Sequence, residues 1–236
     1  TYYGLKGFKE SQIDTLKSIV LSKSKEDVFF YSNMSMIEAS KDLDFTKKFM
    51  FGLAMMLKKG LHLNIIHDLD RPFKELMLGL EGWIPLYMTG LISPYYFKDN
   101  SNLIYSNIDI SSGAVAMTGS YITGNINKAN FYLTNKKYDI DYYQERAKLL
   151  LKKANHLMDI YDKTKENSFT NFLNNNVNLI GTRRNILSCL PTHIMSDKLL
   201  NKILKQNNID IKIKKRIIES IHKEQIRFNE ILKENK

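Results

Sequence analysis

The chain is poor in the residues that staple, break or loosen a fold. It holds one cysteine, four prolines and eleven glycines. A single thiol, Cys189, closes no internal disulfide, and nothing beside it suggests a metal site. It reads as a small apolar side chain between Leu187 and Leu190, in a protein of a reducing compartment. So few prolines and glycines exclude long flexible or polyproline linkers. Long hydrophobic runs are also missing. Residues 49–57 are bounded by lysines, and Pro85, Thr89 and Gly90 interrupt residues 83–92. Neither run approaches the roughly 20 apolar residues that cross a bilayer. No signal-peptide pattern opens the chain, so the expectation is a cytoplasmic protein with no membrane partner. Complete catalytic signatures are absent too: there is no HExxH, GxSxG, GxGxxG or P-loop. The five histidines (62, 67, 156, 193 and 222) are scattered. No metal or cofactor is expected, and an enzyme is not.

What is present is ordinary globular material, with 43% hydrophobic and 25% charged residues. The net charge is +10. Residues 200–236 carry ten Lys or Arg against five Asp or Glu, about half of that excess. A basic balance invites nucleic acid, because Lys and Arg displace counterions from phosphates. A solvated helix face is the plainer account.

Periodicity sets out the elements. Residues 7–21 repeat apolar side chains at helical spacing, and Val28 to Tyr31 is a short β-prone run. A helix is expected from Asp44, as its N-cap, to Lys59, stopped by Gly60. A strand over Leu61 to Ile66 follows, then a helix opening at Pro72 and carrying Phe73, Leu76, Met77 and Leu80. Four β-like runs come next, Leu86 to Phe97, Leu103 to Ile110, Ala114 to Ile122, and Phe131 to Leu133, with turns at 99–102 and 111–113. A helix is expected from Asp141 through Tyr161. The polar, Asn-rich stretch 163–178 marks a boundary. A short segment around Ile186 to Leu190, a helix from Ser196 to about Lys205, and a long helix from about Ile211 to Glu234 complete the chain. This order predicts an α/β domain over 1–162, a mixed sheet flanked by helices, and a helical C-terminal region over 163–236 that dimerises or packs on a neighbour.

The segment from Tyr105 to Ile122, with the βαβ unit before it, resembles one half of a phospholipase D-like domain. That signature places His, Lys two residues on, Asp five further, then a Gly-Ser pair on the next strand. Its chemistry needs the His as phosphate nucleophile or general acid and the Lys as a clamp. Gly119-Ser120 matches the Gly-Ser pair. Counting back, the His position holds Tyr105, the Lys position Asn107 and the Asp position Ser112, and the Asn expected after Gly-Ser is Ile122. The resemblance therefore implies a phospholipase D-like fold stripped of its phosphoryl-transfer groups.

A second resemblance lies in Ile65-Ile66-His67-Asp68-Leu69-Asp70-Arg71 and in Trp83-Ile84-Pro85-Leu86-Tyr87-Met88-Thr89-Gly90-Leu91-Ile92-Ser93-Pro94-Tyr95-Tyr96, with Tyr3-Gly4-Leu5-Lys6-Gly7-Phe8 at the opening. These segments are similar to the C-terminal effector region of bacterial transcription regulators with a phage-repressor-type helix-turn-helix. The resemblance implies a homodimer, a DNA-reading module ahead of Thr1, and an unknown small-molecule or protein effector.

Candidate ligand-binding residues are His67, Asp70, Arg71, Tyr87, Tyr95 and Tyr105. His67, Asp68 and Asp70 sit at a strand end, where α/β sheets bind ligands. One His and two Asp make a poor metal set, and capping with a local Asp–Arg pair explains them as well. Trp83, Tyr87, Tyr95 and Tyr96 suit an aromatic pocket, a core or a subunit interface alike. Arg183-Arg184 near Gly181 suits a phosphate contact, though a surface pair is plainer. Two rivals stand beside the regulator. One is a phosphodiesterase or nuclease with a rearranged site using His67 or His62. The other is DNA binding through Lys212, Lys214, Lys215 and Arg216, at the start of the second helix of a helix–turn–helix-like pair.

Overall fold

The computed structural model describes residues 1–35, 37–98, 104–161, 163–181, 190–207 and 209–234. Cys189, Arg183, Arg184, Asn208, the turn at 99–102 and most of the segment around Ile186 to Leu190 lie outside the described residues, as does the side chain of Leu80. The chain divides into two compact units, Thr1–Ile160 and Tyr161–Lys236.

The first unit runs β1 (Tyr2–Tyr3), α1 (Gly4–Leu21), β2 (Val28–Ser32), α2 (Ile37–Ser40), α3 (Leu43–Lys58), β3 (Leu63–His67), α4 (Phe73–Tyr87), β4 (Ile92–Tyr96), β5 (Tyr105–Ser111), β6 (Ala116–Ile122), β7 (Asn130–Thr134), α5 (Lys137–Lys153) and β8 (Asn155–His156). Its eight strands form one open mixed sheet in the order β1-β7-β6-β5-β2-β3-β4-β8. Strands β2, β3 and β4 are parallel and joined through helices, whereas β5, β6 and β7 form an antiparallel meander. The result is an α/β protein with helices on both faces of the sheet.

Alternation along the strands sorts the core into two layers. Val28, Phe30, Leu63, Ile65, Ile108, Ile110 and Met117 point to the side covered by α1, α3 and the end of α4. Phe29, Tyr31 and Ile66 point to the other side and meet Ala147, Leu150 and Leu151 of α5. Helices α1 and α3 approach closely at Gly52, where a Cβ would stand 3.0 Å from Leu16 Cδ1. Lys59 closes the end of α1 by donating to the carbonyls of Ile19 and Ser22 at 2.8 and 2.7 Å.

Three expectations are corrected. The N-cap of α3 is Asp42 rather than Asp44: its Oδ1 accepts the Phe45 N–H at 3.0 Å while Oδ2 holds Lys9 Nζ at 2.5 Å. Asp44 lies inside the first turn and pairs with Lys48. Helix α4 continues through Pro85 to Tyr87, and only Ile92–Tyr96 of the run 86–97 is strand. Helical spacing seats Trp83, Leu86 and Tyr87 together on the core, which outweighs the β-prone composition. Helix α5 stops at Lys153 because Asn155 and His156 pair with the free edge of β4, and the Leu157 N–H donates to the Pro94 carbonyl at 3.0 Å. The Asn-rich stretch expected as a boundary carries a helix, α6 (Glu166–Asn176), where Phe169 and Phe172 meet Tyr161.

The rest of the second unit is built on α7 (Asp197–Gln206) and α8 (Ile211–Glu234). The side chain of Ser196 caps α7 by accepting the Leu199 N–H at 3.3 Å. Leu200, Leu204 and Ile221 are its buried centre, with Met195, Ile209, Ile217 and Ile218 around them.

Candidate functional site

Of the six candidate ligand residues, three meet. His67, the last residue of β3, lies on the same side of the sheet as Leu63 and Ile65. Its Nε2 is 2.6 Å from the Tyr87 hydroxyl, and the Trp83 ring meets the imidazole edge-on with centroids 5.4 Å apart. Burial, then the Arg71 charge, lower the His67 pKa to about 4. Burial also raises the Tyr87 phenol well above its ordinary value. Near neutral pH this is an uncharged imidazole joined to an uncharged phenol.

Arg71 is a clamp between elements. Its Nη1 binds Glu75 Oε1 at 2.7 Å, its Nη2 donates to the Ser32 carbonyl at 3.0 Å, and its Nε is 3.9 Å from Asp68 Oδ2. It thereby ties the end of β2 and the loop after β3 to the first turn of α4, with its charge balanced by nearby acids. Asp70 is exposed, and its N–H donates to Asp68 Oδ1 at 3.1 Å. This cluster is filled by its own side chains.

The other two candidates lie elsewhere. Tyr95 is on the opposite face of the sheet, packed with Tyr31, Ile66 and Phe97 and with its ring centroid 4.5 Å from that of His156. Tyr105 is half exposed at the start of β5, opposite Ile122.

Each position of the phospholipase D-like frame has a structural account. Asn107 lies opposite Ser120, and its N–H donates to Asn33 Oδ1 at 2.6 Å. The Asn33 Nδ2 donates to the Tyr105 carbonyl at 3.0 Å, so this amide side chain extends the ladder between β2 and β5. Ser112 is buried in the turn after β5, donating to the Val115 carbonyl and accepting the N–H of Ala114 and Val115. Gly119 faces the Phe131 ring across the ladder, where a Cβ would come within 2.2 Å of Cδ1. Aromatic cover of a strand glycine therefore explains that residue without chemistry.

One buried polar group was invisible in the sequence. Asp109 of β5 accepts from Thr118 Oγ1 at 2.7 Å and has Arg146 Nη2 of α5 at 2.9 Å from its Oδ2. That Oδ2 makes no aligned hydrogen bond despite the short ion-pair distance. Burial accordingly wins and raises the Asp109 pKa, against Thr118 and Arg146. The alternation of β5 gives no hint of a carboxylate turned toward a helix 37 positions away.

An open cleft of about 540 Å³ lies between α1 and the start of α3, lined by Lys6, Lys9, Glu10, Asp14, Asp42 and Lys48 among others. Its charges pair among themselves, Lys6 with Glu10, Lys9 with Asp42 and Lys48 with Asp44. Among the described residues no group of three His, Cys, Asp or Glu side chains is placed to hold a metal ion.

The second unit concentrates the charge. Residues 161–236 hold 15 Lys or Arg against 8 Asp or Glu, a net +7, and residues 1–160 hold 20 against 17, a net +3. Asp210 opens α8 by accepting the Lys212 N–H at 2.8 Å. Lys212, Lys214, Lys215 and Arg216 follow within the first two turns. Lys215 reaches Glu219 at 4.0 Å, and among the described residues the other three have no acidic partner within 4 Å. Part of the apolar stripe of α8 is covered inside its own unit: Ile217 and Ile221 pack on α7, and Phe228 stacks on His193 with centroids 3.9 Å apart, whereas Leu232 is half exposed.

Fold and site together define a two-unit protein, an α/β sheet unit and a basic helical unit. No protein family matches the chain, and no curated protein does. Among solved structures it is similar to TrmBL2, an archaeal chromatin protein described as showing a novel mode of DNA binding, at 11% identity and a TM-score of 0.43 over 66% of this chain. The match spans about half (52%) of that protein's chain. Among the described residues, no helix is long and apolar enough to cross a membrane.

Proposed function

We propose that this chain is the non-catalytic part of a DNA-associated regulator, in which the second unit holds the phosphate backbone. The observation that carries this reading is the start of α8, where four cations stand on two turns of a capped helix and, among the described residues, three of them have no acidic partner within 4 Å. Cations so placed neutralise phosphates and release counterions. The first unit is a phospholipase D-like scaffold with Tyr105, Asn107 and Ser112 at the positions of the family's reactive groups. Sequence-specific reading belongs to a helix-turn-helix module ahead of Thr1, as the resemblance of residues 65–71 and 83–96 to bacterial regulators implies. The non-catalytic reading is preferred to the phosphodiesterase rival because both of its candidate imidazoles are engaged by neighbours, His67 by Tyr87 at 2.6 Å and His62 by Ser93 at 2.9 Å.

The test is duplex-DNA binding by fluorescence anisotropy across a salt series. The chain is expected to bind with a steep salt slope. Changing Lys212, Lys214, Lys215 and Arg216 to Gln is expected to flatten that slope by about three to four, since each phosphate contact contributes roughly 0.9. Gln keeps helix propensity, so circular dichroism is expected to be unchanged. An unaltered slope in the quadruple variant, or binding insensitive to salt, sinks the reading.

A further inference from the structure

Helix α4 is out of keeping with its surroundings. A surface helix presents polar residues to water, yet α4 carries only Lys74, Glu75 and Glu81 as charges in its 15 residues. Phe73 is 72% exposed, Met77 41%, Ile84 39% and, at the C-cap, Met88 79%. At about 100° per residue these four fall within an arc of roughly 60°, a stripe about 22 Å long. Among the described side chains the opposite side is anchored near its end, through Trp83, Leu86 and Tyr87.

We propose that this stripe is the interface between two copies of the chain, with the two α4 helices antiparallel about a twofold axis between residues 80 and 81. The spacing of the stripe selects this occupant. Phe73, Met77, Ile84 and Met88 are separated by four, seven and four residues, which reads the same in both directions. An isologous contact requires a surface that complements itself on reversal. In this pairing Phe73 meets the Met88 of the second copy, a favourable thioether–aromatic contact, and Met77 meets Ile84. Glu81 lies on the rim next to the axis, so it faces its own symmetry mate. Like charges at that place weaken the pair, and the geometry therefore marks its own weak point. The inference does not depend on DNA contact, which uses the other unit.

Sedimentation velocity on the full chain tests it. A concentration-dependent dimer is expected at micromolar protein. The double variant Phe73→Glu, Met88→Glu is expected to weaken it at least tenfold; both side chains are largely in water, so the fold is spared. Glu81→Gln is expected to tighten it about twofold, the scale of a surface like-charge pair. A chain that stays monomeric, or a dimer indifferent to the double variant, overturns the proposal. A dimer weakened by the double variant but unmoved by Glu81→Gln overturns the antiparallel arrangement. A monomeric chain that floats with anionic lipid vesicles through the same two residues overturns it in favour of a lipid occupant.

Discussion

The first unit buries Phe8, Leu53, Ile65 and Phe131 to 2% exposure or less and carries a net +3; in the second, among the described residues, Leu200, Leu204 and Ile221 form the buried centre, and the unit carries a net +7. In the second unit Leu199, Ile203, Ile226 and Leu232 remain partly in water. Hydrophobic burial opposes both chain entropy and charge repulsion. The unit with less of the first and more of the last has the smaller margin. A bound partner adds to the stability of the folded form, and the same increment is a larger share of a small margin.

Matched core truncations break this comparison most directly. Leu53→Ala removes a side chain that is 1% exposed in a packed layer, and the expected loss is about 3–4 kcal/mol. Ile221→Ala, at 7% exposed in a shallow cluster, is expected to cost about 2 kcal/mol, because neighbours and solvent fill the gap. Hydrogen exchange followed peptide by peptide separates the units. The smaller cost is nonetheless expected to open α7 and α8 fully, while the larger leaves β2, β3 and β5 protected. Equal protection of both units in the Ile221 variant removes the contrast in margin.

Acid is the next probe, and in the first unit it acts through His67. Burial holds His67 near a pKa of 4, against about 6.5 when unfolded. Between these values the unfolded chain binds more protons than the folded one, so stability rises with pH through that window and is lost on acidification. The full effect is on the order of 3 kcal/mol, from the 1.36 kcal/mol per unit of pKa shift. His67→Gln is expected to flatten the pH dependence of unfolding in the peptides of β3 and α4. Asp109 acts with the opposite sign: its raised pKa means the folded state gains the extra proton, so stability falls as pH rises through its window. An unchanged acid profile in His67→Gln shows that the imidazole is hydrated rather than held against Tyr87.

Much of the sheet was legible from alternation alone. Val28, Phe30, Leu63 and Ile65 declare a core face by their spacing, and β6 and β7 follow from the turns around them. Helices α3, α7 and α8 showed in their apolar stripes and in Gly60, whose φ of +83° ends a helix as expected. What failed depends on contacts distant in sequence. The run from Leu86 reads as strand until the core receives Trp83, Leu86 and Tyr87 on one side of a helix. The end of α5 is set by a free edge of β4, sixty residues earlier, which no local pattern announces. Of the six candidate residues, the fold brings His67, Arg71 and Tyr87 to one end of β3 and α4. Sequence failed for Tyr95 because a shift of one residue along a strand changes the face.

Helix caps give the smallest and cleanest comparison. The Ser196 side chain accepts the Leu199 N–H, whereas Asp42 caps α3 and also holds Lys9 of α1. Ser196→Ala is expected to cost about 1 kcal/mol, the ordinary value of a lost N-cap. Helix α7 supplies two of the three buried residues of its unit, so fraying at its start reaches Leu200 within one turn. The loss is therefore expected as faster exchange across all of α7 and the facing part of α8, at unchanged protection in the sheet. Ser196→Asp restores the acceptor and adds a negative charge at a helix N-terminus, and it is expected to recover the stability. Exchange that accelerates only at residues 197–199 in the alanine variant shows instead that α7 is held by its apolar face, and that the second unit is sturdier than its small core implies.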